Sequence, residues 1–205
     1  MDRAALACSP TQKRDVVALK NTTERWGWLA QAQHWVIALL IIEQLTTGRI
    51  MAWLGAGEAQ DRLFYATHEP FGVLVLLLLV LRFGWRMINL TPTLPSAMPH
   101  WQVKASHASH WGLYLAIAVM ISSAWVMSSY ASFPVSPNAP WTLPNFSDYN
   151  RDTARRAYNV HVWTGWTIVA LVSVHIAAAI KHHIIDKDTV LRRMLPECFF
   201  RDETS

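Results

Sequence analysis

Residues 158–183, YNVHVWTGWTIVALVSVHIAAAIKHH, are apolar for long enough to cross a bilayer, yet they carry His161 near one end and His175 near the other. A spanning helix needs about 20 mainly apolar residues. The two histidines are fourteen residues apart. That is close to four whole turns, so both rings project from one face, about 21 Å apart along the axis. An ionisable ring at membrane depth is costly and calls for a partner, an ion path or a bound cofactor. Two of them on one stripe, near opposite membrane faces, predict a helix that holds one ligand in each leaflet.

Three more stretches reach spanning length, roughly 26–48, 65–90 and 109–130, beside the fourth at 158–180. Of the 205 residues 52% are hydrophobic and 16% charged, a balance that fits a small polytopic membrane protein better than a soluble domain. The predicted fold is an all-α membrane protein, a bundle of four transmembrane helices. A polar extension (1–24) precedes the bundle (25–196), and a short tail (197–205) follows it. The net charge of +4 does not point to nucleic acid, because the basic residues flank the spans. Thirteen of the 18 Lys and Arg, among them Arg25, Arg82, Arg86, Lys104, Lys181 and Arg192, fall on one side. Arg49, Arg62, Arg151, Arg155 and Arg156 fall on the other. An excess of Lys and Arg marks the cytoplasmic side, so both termini are expected there. Cys8 and Cys198 share that side, which argues against a structural disulfide. No cleavable signal peptide is visible at the start.

In the first span, Gln31, Gln33 and His34 lie in the cytoplasmic third, and Thr46-Thr47-Gly48 is read as its end. Glu43, near the outer interface, is expected to pair with Arg49. A connection of some 16 residues leads to the second span, where His68 sits at the periplasmic entry. Arg82 follows His68 after fourteen residues, the His161–His175 interval again. It is either an inside-facing anchor, like Arg86, or a partner for an anionic group on a cofactor. The second connection is rich in Pro and holds His100, Lys104, His107 and His110. The third has four prolines and reads as a periplasmic cap. The segment after the fourth span is predicted to form a short amphipathic helix on the cytoplasmic surface.

Counted by depth, His34 and His175 share a cytoplasmic layer, and His68 and His161 a periplasmic one. Two layers of two imidazoles are what two bis-histidine haems need. Zinc fits less well, since neither layer offers Cys or carboxylate at suitable depth. Any one of these histidines alone is as well explained by a hydrogen bond to a neighbouring helix; four at matched depths favour cofactor ligation. His107 and His110 remain competitors of His34 for partnership with His175. Gly72 and Gly165, each four residues after a histidine, would let a flat macrocycle lie close to the backbone, though Gly is also a packing residue in membranes.

Several blocks resemble the bacterial cytochrome b561 family, four-helix membrane cytochromes with two b haems. They are His34-Trp35; His68 with Gly72, Arg82 and Arg86, then Thr91-Pro92; the HxxH pair His107 and His110 with Tyr114; and HVWTGWTIVALVSVHIAAAIKHH followed by KDTVLRRMLP. The likeness runs from about residue 28 to 196. It implies haem ligation by His34 with His175 and by His68 with His161, a quinone site around Lys104, His110 and His182, and a place in the bacterial inner membrane. It further implies electron transfer between a periplasmic-side reactant and the quinone pool. At least one member oxidises superoxide and reduces ubiquinone. Arg151, Arg155 and Arg156, close to His161, would attract a small anion; their plainer reading is a solvated helix start neutralised by Asp148 and Asp152. The extension and the third connection depart from the family pattern, which leaves the electron donor, superoxide or a redox partner protein, open. Two other functions stay in view: a haem-b membrane anchor for a separate dehydrogenase or hydrogenase, and a histidine-based metal-binding or transport protein.

Overall fold

Among the described residues four helices follow one another: α1 (Trp28–Leu54), α2 (Ala59–Ile88), α3 (His100–Ala131) and α4 (Arg151–Ile184). A 3₁₀ turn, Arg192–Met194, comes after them. The computed structural model describes residues 19–54, 59–131, 144 and 148–195, the side chains of 59–63 excepted. Most of the predicted extension, the tail with Cys198, Cys8, the Arg62 side chain and most of the third connection lie outside the described residues.

Each helix contains a window apolar enough to span a membrane, and large apolar side chains cover the outside. Leu39, Leu77, Leu115 and Val174 are all more than half exposed. On a soluble protein so much exposed apolar surface would drive association; against lipid it is the matching solvent. The small buried core, Val75, Leu79, Ala116, Ile117 and Ile168, is ringed by Leu40, Leu45, Met120 and Leu171. Helix α1 packs along α2, and α3 along α4; between these hairpins close backbone approach is sparse and is greatest between α2 and α3.

The helices run further than hydropathy predicts. Thr46 and Thr47 do not end α1. Their hydroxyls donate back to the carbonyls of Ile42 (2.7 Å) and Glu43 (2.9 Å), and the helix continues to Leu54. Most of the expected first connection is therefore helical. Pro99 caps the start of α3, its carbonyl accepting from the amides of Gln102 and Val103, so Lys104, His107 and His110 are on a helix rather than in a loop. Asn150 caps α4, its side chain accepting from the Thr153 amide at 3.0 Å. The expected Glu43–Arg49 pair is replaced by other contacts. Glu43 accepts from Gln44 at 2.7 Å, while the Arg49 guanidinium stacks 4.7 Å from the Trp166 ring centre. Six residues turn a helix by about 240°, so the two side chains leave α1 on different faces.

The amphipathic helix expected after α4 is absent among the described residues. Lys187 adopts a left-handed φ of 52°, and Asp188 accepts from the Val190 amide at 2.9 Å, so the chain turns instead of coiling. Side chains from the start of the chain then take the carbonyls that helical amides would need. Arg25 donates to Leu195 (3.1 Å), Gln31 to Arg193 (3.2 Å) and Trp35 to Met194 (2.8 Å). The Arg193 guanidinium donates to the Thr93 carbonyl, and the Thr93 amide to that of Thr23 at 2.9 Å. Three segments thus close one end of the bundle, and both ends of the described chain lie there.

Replacing Trp35 by Phe together with Gln31 by Leu removes two of these bonds, each worth about 1 kcal/mol. Tryptic cleavage after Lys187 or Arg192 should then speed up by roughly thirtyfold with helix content unchanged. Unaltered cleavage would mean that other contacts hold this segment.

Candidate functional site

Two groups of imidazoles bridge the gap between the hairpins. At the end shared by the chain termini, the rings of His34 (α1) and His175 (α4) have centroids 6.2 Å apart, inclined at 60°. Toward the opposite end, His68 (α2) and His161 (α4) stand 6.4 Å apart at 73°. The first group has a third member, because His110 of α3 lies 5.4 Å from His175. His107, one turn earlier, is exposed.

Hydrogen bonds fix several of these rings. The Thr47 hydroxyl gives its one hydrogen to the Glu43 carbonyl, so its oxygen accepts from His68 Nδ1–H at 2.9 Å. His161 Nδ1–H donates to the Met120 carbonyl at 3.0 Å, with Ser123 Oγ at 3.4 Å. His110 Nδ1–H donates to the carbonyl of Ser106, one turn back, at 2.7 Å. In all three the remaining lone pair is on Nε2, the arrangement in which a metal-binding histidine is oriented through its other nitrogen. His34 and His175 have no hydrogen bond among the described residues.

The donor set tests which group would suit these layers. A metal held by protein alone needs about four ligands, and each layer brings a facing pair. Among the described residues, the one cluster of three or more close ligand groups lies elsewhere, at His182, Asp186 and Asp188. A haem iron has its equatorial positions filled and needs two axial nitrogens. Bonds of about 2 Å on each side plus a ring radius of about 1 Å put the centroids of two opposed imidazoles roughly 6 Å apart. Both facing pairs meet that spacing. The 5.4 Å between His110 and His175 falls short of it.

Sequence reasoning passed over Thr47 and Gly48 because it placed the helix end there. A Cβ on Gly48 would come within 3.2 Å of His68 Cε1, so the missing side chain leaves room for the ring. The signal was available, for Gly48 follows His34 by fourteen residues, the interval of His68–Arg82 and His161–His175. Gly165 and Gly72 serve packing as well: a Cβ there would meet Met120 Cε at 3.3 Å and Gln44 Oε1 at 3.4 Å.

Arg82 donates to the Ala30 carbonyl at 2.8 Å, which ties α2 to α1 one turn from His34. His182 is held by Asp188 (2.6 Å) and Asp186 (3.2 Å), and Asp186 also pairs with Lys181 at 2.5 Å. Lys104 is exposed, and no contact among the described residues joins it to His110 or His182. Arg151, Arg155 and Arg156 are exposed on the first turns of α4, five to ten residues before His161; Arg156 donates to Thr153 Oγ1 at 3.3 Å.

Residues 25–197 match the family described as "Prokaryotic cytochrome b561". The chain is similar to "Cytochrome b561 homolog 2" of Escherichia coli (strain K12), with 32% identity over 180 residues, 87% of this chain and 95% of that protein. It is 29% identical over 175 residues to "Cytochrome b561 homolog 1" of the same strain, covering 80% and 92% of the two chains. "Probable superoxide oxidase CybB" of Yersinia pestis is 24% identical over 179 residues, covering 85% and 97%.

If each layer holds a haem, Gly48→Leu should push His68 out of line and cost the chain the haem of that layer, leaving the other. Pyridine haemochrome content and the low-spin Soret band report this. Undiminished haem content would show that the room beside His68 is not needed.

Proposed function

This chain belongs to the prokaryotic cytochrome b561 family, membrane proteins that transfer electrons through haem b, and from that premise we propose that it carries them between two haems to the quinone pool. His34 and His175 would hold one haem, His68 and His161 the other. Haem b, when bound, supplies one-electron chemistry at its iron. The observation that carries the reading is the two facing imidazole pairs, at 6.2 and 6.4 Å, toward opposite ends of one bundle. Thr47 and the Met120 carbonyl engage Nδ1 of His68 and of His161, which leaves Nε2 of each as the nitrogen able to bind iron. With the Lys- and Arg-rich end cytoplasmic, the His34 layer lies inside and the His68 layer outside.

The outer reactant we propose is superoxide, as the name of the Yersinia pestis relative suggests. Two superoxide ions give up one electron each and leave as dioxygen. One ubiquinone takes both electrons with two protons from the inner side. Arg151, Arg155 and Arg156 raise the local concentration of the anion near His161. On the inner side His182, hydrogen-bonded to Asp188, hands protons to the quinone in a site shared with His110 and Lys104. An imidazole is suited to that role because one ring nitrogen can give up a proton while the other accepts one.

Haem stoichiometry tests ligation. Wild type should carry two haems per chain; His175→Ala should lose the inner one alone and His161→Ala the outer one alone. Two haems in either variant would remove the assignment. Stopped-flow reduction by a superoxide pulse tests the reactant. Arg155→Gln with Arg156→Gln should slow reduction by about tenfold at low salt and far less at high salt, since screening removes steering. Reduction that is slow in wild type and indifferent to both salt and substitution would point to a different donor.

A further inference from the structure

Arg82, Trp85 and Arg86 are three and four residues apart on one face of α2. They line a small cleft that Gln33 of α1 and Tyr114 of α3 help to close. No carboxylate lines it among the described residues. Two cations four apart on a helix repel each other, and nothing anionic relieves them here. Arg82 gives one N–H to the Ala30 carbonyl and has Tyr114 beside it; Arg86 makes no ion pair among the described residues. The indole Nε1–H of Trp85 is buried and donates to nothing, and Gln33 Oε1 is buried without a partner. A flip of that amide would turn its N–H groups inward instead. Two guanidiniums, an indole N–H and a phenol meet in one cleft whose acceptors, the oxygens of Ala30, Gln33, Asn21 and Tyr114, are all neutral. Leaving the buried indole N–H unmet costs free energy, and a carboxylate, acceptor-only and anionic, can meet it while offsetting the two guanidinium charges.

Position identifies the source of the carboxylate. Gln33 adjoins His34 in sequence, and Ala30 is one turn before it. Arg82 lies within electrostatic range of both His34 and His175. Tyr114 is one turn beyond His110, whose ring contacts His175. We propose that this cleft is a carboxylate-binding site and that it anchors a propionate side arm of the haem held by His34 and His175, an inference that rests on the ligation reading above. Trp85 and Arg86 are then positioning residues for that haem: the N–H of one and the charge of the other fix the rotation of the macrocycle about the axis between the histidines. A lipid phosphate offers the same charge, and the test separates the two.

Wild type and the Trp85→Phe and Arg86→Gln variants are prepared in nanodiscs of zwitterionic lipid. Each is loaded with protohaem or with its dimethyl ester, which lacks the free carboxylates. Haem release from the inner site to excess apomyoglobin is timed, and the propionate bending mode is followed by resonance Raman. Trp85→Phe and Arg86→Gln should each speed release of protohaem by about tenfold, the size of one charge-assisted hydrogen bond lost, and shift the mode. With the ester, wild type and variants should release alike, and outer-site release should be unchanged throughout. Equal acceleration with the ester would make both residues packing elements and overturn the proposal, as would unchanged release of protohaem. An effect that arises only when anionic lipid is added would assign the cleft to a headgroup phosphate, which also overturns it. Failure of the ligation reading looks different: wild type would then show no inner haem to release.

Discussion

In hydrocarbon there is no water to complete an unmet hydrogen bond, and every polar group in this bundle answers to that constraint. Most are met inside the protein. Thr46 and Thr47 bond back to their own helix, Arg82 reaches the Ala30 carbonyl, and His161 reaches that of Met120. Among the described residues the buried side-chain atoms without a partner are on Gln33 and Trp85, beside the cleft, and on Ser109 and Ser129. His68, His110 and His161 use Nδ1 for their hydrogen bonds and keep Nε2 out of them. The fold spends its internal partners on orienting these groups and leaves their reactive atoms open. That division fits a scaffold whose chemistry comes from a bound group.

The fourteen-residue interval organises the same groups along the membrane normal. On α1 it joins His34 to Gly48, on α2 His68 to Arg82, and on α4 His161 to His175. Each of these helices therefore presents one position to each layer on a single stripe. Helix α4 gives a ring to both, α1 gives a ring to one and room to the other, and α2 gives a ring to one and a cation to the other. Helix α3 contributes mainly support, through the Met120 carbonyl and Ser123 in one layer and His110 in the other.

Hydropathy made the four spans legible, and counting residues from the span ends sorted the histidines into layers. Helix ends were not legible. Whether Thr46-Thr47-Gly48 stops a helix depends on where the two hydroxyls turn, and they turn inward along α1. The nearness of His110 to His175 depends on the rotation of α3 about its axis, which no spacing within α3 contains. The segment after α4 misled most, because its carbonyls are taken by Arg25, Gln31 and Trp35, about 160 residues away in sequence. A local pattern cannot carry so distant a contact. The donors around the Trp85 cleft were partly visible, since Arg82 shares the stripe of His68, but burial of the indole N–H needed the packed helices.

The bonds from Gln31 and Trp35 to the carbonyls of Arg193 and Met194 act as a clasp. Trp35 is next to His34, and the clasped strand leaves α4 shortly after His175. The gap between α1 and α4 is therefore set at this end by a latch of hydrogen bonds from outside the helices, whereas toward the opposite end the same two helices meet through the Arg49 guanidinium over the Trp166 ring. Directed bonds to a backbone hold a geometry more tightly than a stacked cation does. Two haems held as proposed would then differ in how far their surroundings rearrange when an electron arrives.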